Sequence, residues 1–361
     1  MKKIFQIIFL ITMHYSLFAL NTDSSKQLKF DTTYIRSYPD YLSIALFNNL
    51  PIISFRISSL NNQGPKILTT YKSNINNLIG PDIDYKGISL TYGFKAAKNI
   101  NETTLKGESK IKFLNVKLHR HRYYGNISYM HCKGFYDETS FRNFPGYTEQ
   151  HPYIIRPDMT FKKLNIYVLY NINFKKYSYL APLSYTERQV KSKGGWLVAG
   201  GLYYYAIKDS GALGNILLNQ EPKNVNDTLS KSLKTYFAKV GFGRGINLII
   251  SKRVFFNFQT LVSGNLAFQN SKSEKGSKLY VSPNVFLEFS SAIGYNSKRF
   301  FCGLRLTADR NVFRRQELRY TNALGSLQLN LGYRFNAPKW LDNGYDAVKY
   351  KILKLKKSKE D

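Results

Sequence analysis

Residues 254–269 read VFFNFQTLVSGNLAFQ, and oily and polar side chains alternate along most of that length. The even-numbered positions are mainly valine, phenylalanine and leucine, whereas amides and serine predominate at the odd-numbered positions. Successive side chains of a β-strand point to opposite faces, so this pattern predicts a strand with one apolar and one polar face. The segment is also longer than the usual strand of about five or six residues.

The same alternation recurs along the chain, for example in residues 164–172, 279–295 and 326–335. The strands predicted in this way lie at about residues 42–56, 66–73, 86–95, 109–119, 122–133, 159–173, 195–207, 234–249, 254–269, 279–294, 299–308 and 326–335. A soluble sandwich also alternates, so alternation alone does not decide the fold class. Long strands with tyrosine and phenylalanine gathered toward their ends are typical of outer-membrane barrels.

The predicted connections alternate between short and long. The short turns are 119–122, 251–253 and 296–298, and the long connections are 95–107, 134–157, 208–233 and 309–325. Short turns at one rim and long loops at the other are the layout of outer-membrane barrels. The sequence therefore predicts an all-β fold, an antiparallel transmembrane β-barrel of about twelve strands.

The N-terminus resembles an export signal. Lys2 and Lys3 precede a mostly apolar run that ends near the small residue Ala19, which favours a cleaved signal peptide over a single membrane-spanning helix. We therefore divide the chain into a signal peptide (1–19), a periplasmic N-terminal segment (20–40), a β-barrel (41–335) and a basic C-terminal extension (336–361). The extension is expected to be flexible, with a short helix at about 347–355.

The net charge is +30, from 53 Lys and Arg against 23 Asp and Glu. An exported basic protein is expected to meet anionic lipopolysaccharide and other outer-membrane lipid rather than nucleic acid, and the barrel-assembly machinery is its expected folding partner. With only two cysteines, a disulfide-stapled scaffold and a four-cysteine zinc site are excluded. We expect Cys132 and Cys302 to be free and outward-facing, with their pairing left open.

Charged residues on the polar faces are the first candidate site. In phase with the inward face are Lys163, Lys239, Glu288, Arg299, Arg305 and Arg334. One interpretation is structural, a lumen held together by ion pairs and hydrogen bonds. The other is a basic lining that contacts anionic solutes, because cations outnumber acids five to one in this set.

The connection at residues 174–194 is the second candidate site, because it is long yet falls on the short-turn side. It is dense in hydrogen-bonding groups, including Tyr185, Glu187, Arg188, Gln189, Lys191 and Ser192. We hypothesise that these residues fold back to cap or partly plug the barrel mouth, with Glu187 paired to Arg334 or Arg299. The alternative is an ordered periplasmic loop that makes no contact with the lumen.

Motifs for catalysis or for a cofactor are weak. His119, His121 and His131 suggest a metal site, but no carboxylate or cysteine completes a set in the sequence nearby, and Arg120 and Arg122 would repel a cation. We therefore read them as a solvated basic turn. The sequence predicts no metal, no cofactor, no catalytic residues and no enzyme activity.

Three segments carry a resemblance to a known family. They are YIRSYPDYL at 34–42, TYKSN at 70–74 followed by Gly87, and YTERQVKSKGG at 185–195. With them the chain resembles an exported family of Bacteroidetes-type bacteria, domain of unknown function 4421, over about residues 30–335; Ser73 stands where that family usually has proline. The resemblance implies a barrel-like exported architecture and brings no known activity.

Two classes of function remain open from the sequence. The first is an outer-membrane barrel that acts as a pore, a transporter or a structural envelope protein with a basic lumen. The second is a soluble exported β-protein that binds glycan or another surface partner. The sequence favours the first class because the strands are long and their connections alternate in length.

Overall fold

A computed structural model describes residues 30–59, 68–96, 100–140, 148–211, 213, 231–273, 276–315 and 318–357. The predicted signal peptide at 1–19, together with residues 20–29 of the predicted N-terminal segment, lies outside the described residues. Within the described part of the chain, no helix is long and apolar enough to cross a membrane.

The described chain forms mostly long strands. The strands are β1 Ile35–Ser37, β2 Tyr41–Ser59, β3 Leu68–Lys72, β4 Leu78–Tyr85, β5 Ile88–Lys95, β6 Lys110–His119, β7 Tyr123–Asp137, β8 Ile154–Asn171, β9 Glu187–Gln189, β10 Lys193–Lys208, β11 Ser232–Ser251, β12 Val254–Ser273, β13 Gly276–Asn296, β14 Phe300–Arg315 and β15 Leu318–Asn336. The helices are α1 Ile100–Lys106, α2 Leu180–Leu183 and α3 Lys339–Lys357.

The main sheet closes on itself into a barrel. Its last strand β15 pairs antiparallel with its first strand β2, from Leu318 opposite Ser59 to Asn336 opposite Tyr41. The sheet contains 13 strands, but β3 and β4 run in the same direction and both pair with β2. They are two parts of one interrupted strand, so the barrel has the 12 positions that the sequence predicted. The sheet therefore has no first or last strand, as a membrane-spanning sheet requires, although β13 above Leu287 pairs with β12 alone.

The interruption between β3 and β4 explains why the prediction missed β4. Five residues, 73–77, lie opposite four residues of β2, 50–53, so the ladder breaks there. Pro51 lies opposite this break, where β2 has no ladder partner on that side and a missing backbone N–H is tolerated. The predicted strand at 66–73 is therefore only the first part of a strand that resumes at Leu78.

The side chains separate into an apolar outer face and a filled inner face. On β12, Val262 is 55% exposed and its neighbour Ser263 is 1% exposed. Large apolar residues point outward on the other strands as well, among them Leu46, Ile52, Val168, Val240, Leu287 and Leu329. Cys132 corrects the prediction, since it is buried in the inner core instead of facing outward, and both cysteines are free.

The predicted loop at 309–325 is wrong. β14 continues to Arg315 and β15 begins at Leu318, and their backbones stay paired throughout, for example Asn311 with Asn322. The inner positions still alternate there, with Phe313 and Tyr320 buried. The outer positions of this hairpin include the exposed Arg310, so the search for an apolar outer face ended the strands too early.

The described part of the C-terminal extension is mostly a helix that contacts the lower end of the barrel. Helix α3 spans Lys339–Lys357, which is longer than the helix predicted at 347–355. Its Asp342 accepts a hydrogen bond from Lys86 Nζ (2.7 Å) and one from the Tyr85 hydroxyl, both beside the β4–β5 turn. These two hydrogen bonds hold the pKa of Asp342 below its usual value, and the one from the Lys86 ammonium has the larger effect.

The apolar outer face should not tolerate a charged side chain. Val262→Arg should destabilise the folded protein in lipid vesicles by about 2–4 kcal/mol, because the guanidinium would face the hydrocarbon. Unfolding in urea measures this. Val262→Leu and Ser290→Gln, the latter directed into an internal cavity, should unfold close to the wild type. An equal loss in Val262→Arg and Ser290→Gln would mean that the outer face does not contact lipid.

Candidate functional site

The connection between β8 and β10 enters the barrel interior. We call residues 172–192 the plug. The end of the barrel from which the plug enters is called the lower rim, and it also carries the short turns and residues 41 and 336. Tyr177, Tyr179 and Leu180 of the plug are buried in one cluster with the inward wall residues Leu197 and Leu261. The plug therefore packs against the inside of the barrel wall, as the hypothesis of a folded-back segment requires.

Two wall glycines make room for the plug at Tyr177. A Cβ atom added to Gly195 would lie 2.4 Å from Tyr177 Cδ1, and one added to Gly245 would lie 1.9 Å from its hydroxyl oxygen. Neither distance is compatible with a side chain at the glycine unless the ring moves. Glycine at both wall positions is therefore a packing requirement of the inserted tyrosine.

Tyr185 anchors the other end of the plug. Its backbone is left-handed, with φ of 60°, and its ring stacks on Phe301 with the centroids 4.9 Å apart. Phe255 and Ala292 of the wall belong to the same buried cluster. Burial raises the pKa of Tyr185 to about 12, so the hydroxyl stays neutral at physiological pH.

Wall side chains bind the carbonyl oxygens of the plug. Buried carbonyls need hydrogen-bond donors wherever water is excluded, and four inward-facing side chains from different strands supply them. The hydrogen bonds run from Asn171 to Tyr177 (2.7 Å), from Asn247 to Ser178 (2.6 Å), from Asn296 to Glu187 (2.9 Å) and from Arg305 to Leu183 (3.1 Å). The plug is thus held around much of the wall by polar contacts in addition to its apolar anchors.

Arg334 is the most deeply buried charge of the site. Its side chain is 0% exposed, and its guanidinium donates to the carbonyl of Tyr185, to Asn296 Oδ1 (2.9 Å) and to the carbonyl of Ser297 (2.6 Å). The rings of Tyr38 and Phe301 lie 4.4 and 4.7 Å from it. Arg334 therefore joins the closing strand β15, a lower-rim turn, the plug and the N-terminal segment.

The expected partner of Glu187 is wrong. Glu187 pairs with His121 Nδ1 and accepts a hydrogen bond from the Ser178 hydroxyl. Its carboxylate faces the β6–β7 turn, whereas its backbone carbonyl faces Asn296 beside the turn that holds Arg299. His119 likewise meets a carboxylate, with Nε2 2.5 Å from Asp84 Oδ2. These histidines are therefore not a solvated basic turn. In the described ranges, no cluster of three or more His, Cys, Asp or Glu side chains could hold a metal ion.

The N-terminal segment is paired with the plug. β1 and β9 form a two-stranded antiparallel sheet with Ile35 opposite Gln189. Gln189 Nε2 donates to the carbonyls of Lys176 (2.7 Å) and Lys191 (3.0 Å), and the Val190 amide donates to the carbonyl of Tyr34 (2.7 Å). No alternating pattern in the sequence indicates this pairing, because each strand has only three residues.

A cavity of about 370 Å³ lies between the plug and the upper half of the lumen. Pro182 and Leu183 of the plug line it from below. Of the predicted lumen residues, the structure brings four to this cavity, namely Lys163, Lys239, Glu288 and Arg305. The other two do not line it, since Arg334 is clamped beneath the plug and Arg299 lies in a turn, where it donates to the Arg334 carbonyl (3.0 Å).

Two carboxylates that the sequence analysis missed balance part of the cavity charge. Asp309, which the prediction placed in a loop, lines the cavity and interacts electrostatically with Lys163 and Lys239. Lys117 also lines it and pairs with Asp82 of the missed strand β4 (2.6 Å). Continuing the inward period of β14 by one position would have found Asp309.

Lys239 illustrates how this charge is held. Its ammonium pairs with Glu288 and lies 4.5 Å from the ring centre of Phe286 and 4.7 Å from that of Tyr203. Only 2% of Lys239 is exposed. A lysine enclosed by a carboxylate and aromatic faces is already neutralised and solvated by its neighbours.

Aromatic rings fill the lumen on the other side of the cavity. We call this set the aromatic layer, and its members are Phe55, Phe135, Phe161, Tyr205, Phe237 and Phe313. Rings from non-adjacent strands touch, with centroids 4.7 Å apart for Phe55 and Phe161 and 6.2 Å apart for Phe237 and Phe313. The upper half of the barrel is therefore a packed core.

These features define a closed antiparallel β-barrel that carries its own plug. The chain belongs to the family described as domain of unknown function (DUF4421), whose model matches residues 29–335. This match confirms the resemblance seen in the three sequence segments. A search of curated proteins found none that matches the sequence.

Several solved structures are similar to this chain. The outer membrane protease OmpT from Escherichia coli shares 11% identity, with a TM-score of 0.41 over 83% of this chain and 98% of that one. The translocator domain of the autotransporter NalP from Neisseria meningitidis shares 13%, with a TM-score of 0.35 over 82% and 88%. The toluene transporter TodX from P. putida shares 8%, with a TM-score of 0.27 over 83% and 91%. Identities and TM-scores this low carry no inference about activity.

The glycines at Tyr177 predict how to loosen the plug. Gly245→Ala should displace the tyrosine ring and cost about 1–3 kcal/mol of stability, whereas Gly264→Ala is a matched control, because nothing lies within 4 Å of its added Cβ. The measurement is labelling of an Ala181→Cys probe by a membrane-impermeant thiol reagent, with Cys132 and Cys302 changed to alanine. Labelling should speed up only in Gly245→Ala, and equal rates would refute the packing role of Tyr177.

Proposed function

We propose that the protein is an outer-membrane β-barrel that is closed at rest and serves as a structural envelope protein, not as an open pore. The observation that carries this proposal is the double closure of the lumen, by the plug at the lower rim and by the aromatic layer above it. Location in the outer membrane is supported by the apolar outer face of a barrel whose first and last strands pair with each other.

The charge of the cavity also favours a structural role. The sequence suggested an unbalanced basic lining, but Glu288, Asp309 and Asp82 face the cavity cations. A selective pore for anions needs free positive charge along a continuous path. Paired charges within a closed compartment instead serve to satisfy the polar inner face of the wall.

A soluble exported protein that binds glycan fits the geometry less well. The outward-facing residues of most strands are large and apolar, and they are exposed around the barrel. Exposed apolar patches of this extent are rare on soluble monomers. The same residues are what a lipid-facing barrel surface requires.

A plugged transporter is the second candidate, because the plug is one continuous segment whose removal leaves the strands in place. The Ile172 amide donates to the Trp196 carbonyl (3.0 Å), so β8 and β10 are already neighbours at their lower ends. Phe174 then lies opposite Gly194 in the continued register, so a two-residue Asn-Gly turn can replace residues 175–193. This plug-less variant separates the two candidates.

Conductance in planar bilayers is the test. The wild type should show no steady conductance, and the plug-less variant should also stay closed, because the aromatic layer still fills the lumen. In that variant a Ser290→Cys probe in the cavity should become reactive to a thiol reagent applied at the lower rim. In the wild type it should stay unreactive.

Two results would count against the proposal. Steady conductance of the wild type would mean that the lumen is open at rest. Steady conductance of the plug-less variant would favour the plugged transporter. If the plug-less variant stays closed as expected, adding Phe237→Ala should open the aromatic layer and produce conductance. Adding Phe258→Ala, which removes an outward-facing ring, is the matched control and should change nothing. Heat-modifiable gel mobility verifies that each variant is folded.

A further inference from the structure

A strongly basic groove lies at the lower rim, outside the lumen. Its lining includes five cations and no aspartate or glutamate. We call it the rim groove, and its cations are Arg36, Arg188, Lys252, Arg253 and Lys298. They come from four separate segments, namely β1, β9, the β11–β12 turn and the β13–β14 turn.

The arrangement of two of these cations is unfavourable without a ligand. Arg36 lies directly opposite Arg188 in the β1–β9 sheet, and like charges at directly opposed positions destabilise a strand pair. Among the described residues, none of the five groove cations has a carboxylate oxygen within salt-bridge distance. The Nε atom of Arg188 is buried and has no hydrogen-bond partner.

The backbone does not let the two arginines move apart. Ile35 beside Arg36 is fully buried, and Gln189 beside Arg188 binds three carbonyl oxygens of the plug and the N-terminal segment. Both neighbours are therefore fixed in the barrel mouth. Two positively charged residues are therefore held at directly opposed backbone positions.

We propose that the rim groove binds an anion that carries phosphate groups, with Arg36 and Arg188 sharing one phosphate. Two adjacent guanidiniums offer more N–H donors than one carboxylate can accept, whereas a phosphate has at least three acceptor oxygens. Lys252, Arg253 and Lys298 along the same groove supply charge for a second phosphate group. This proposal goes beyond the closed barrel, because the groove lies outside the lumen and can bind an anion whether the lumen is open or closed.

Two sources could supply this phosphate chemistry. One is a soluble phosphorylated compound, and the other is the headgroup of a lipid in the adjacent leaflet, since the lower-rim turns lie next to the lipid-facing ends of the strands. Tripolyphosphate is the soluble probe. Nanodiscs of phosphatidylcholine with or without phosphatidylglycerol provide the lipid arm.

The experiment measures tripolyphosphate binding to the full-length protein by calorimetry at low ionic strength. The double variant Arg36→Gln/Arg188→Gln should bind at least about ten-fold more weakly. The control Lys175→Gln/Lys193→Gln removes the same charge from exposed lower-rim positions outside the groove and should bind within about two-fold of the wild type. Lys252→Gln/Lys298→Gln tests the second half of the groove, should the first variant fold poorly.

Thermal stability gives an independent readout. Without phosphate, Arg36→Gln/Arg188→Gln should melt at or above the wild-type temperature, because it removes a repulsion. Tripolyphosphate should raise the melting temperature of the wild type and of the lysine control, but not that of the arginine variant. A variant that melts well below the wild type without ligand would overturn the argument from repulsion.

The remaining outcomes either identify the source of the phosphate group or show that the ligand is not a phosphate compound. Weaker tripolyphosphate binding in phosphatidylglycerol nanodiscs than in pure phosphatidylcholine supports a lipid headgroup as the occupant, and equal binding supports a soluble compound. Equal loss in the arginine and lysine variants would show general charge attraction only. Citrate binding tighter than tripolyphosphate would overturn the assignment to phosphate.

Discussion

The buried guanidinium of Arg334 joins four parts of the lower rim. It projects from the strand that closes the barrel, and it binds the carbonyls of Tyr185 and Ser297 together with the side chain of Asn296. A buried cation without such partners would cost several kcal/mol. The closing strand, the rim turn and the plug are therefore mutually dependent, and the ring of Tyr38 adds the N-terminal segment to the same centre.

The period of two along each strand was sufficient to predict the barrel, its strand number and the faces of the strands. It failed where the outer face stops being apolar, as at Arg310, and where a strand is interrupted, as between Lys72 and Leu78. Both failures affected the predicted site, because they left out Asp309 and Asp82. The five-to-one excess of cations in the predicted lumen arose partly from these two omissions and partly from Arg299 and Arg334, which do not line the cavity.

The plug shows a different limit of sequence analysis. The length and polarity of residues 174–194 were enough to suggest a segment that folds into the barrel mouth. They could not give the partner of Glu187, because that depends on which rim turn lies beside it in three dimensions, and the structure places His121 there. The rim groove was out of reach for the same reason, since its cations come from segments far apart in the sequence.

The central claim is that the plug is an integral part of the barrel interior, and hydrogen exchange tests it most directly. In a folded sample in lipid, the amides of Ser178, Tyr185 and Val190 all have acceptors and should exchange as slowly as those of the neighbouring strands β10 and β11. Peptides that cover residues 177–190, analysed by mass spectrometry, report this protection, and Arg334→Gln should reduce it. Complete exchange of these peptides within seconds, while the strands stay protected, would contradict the account.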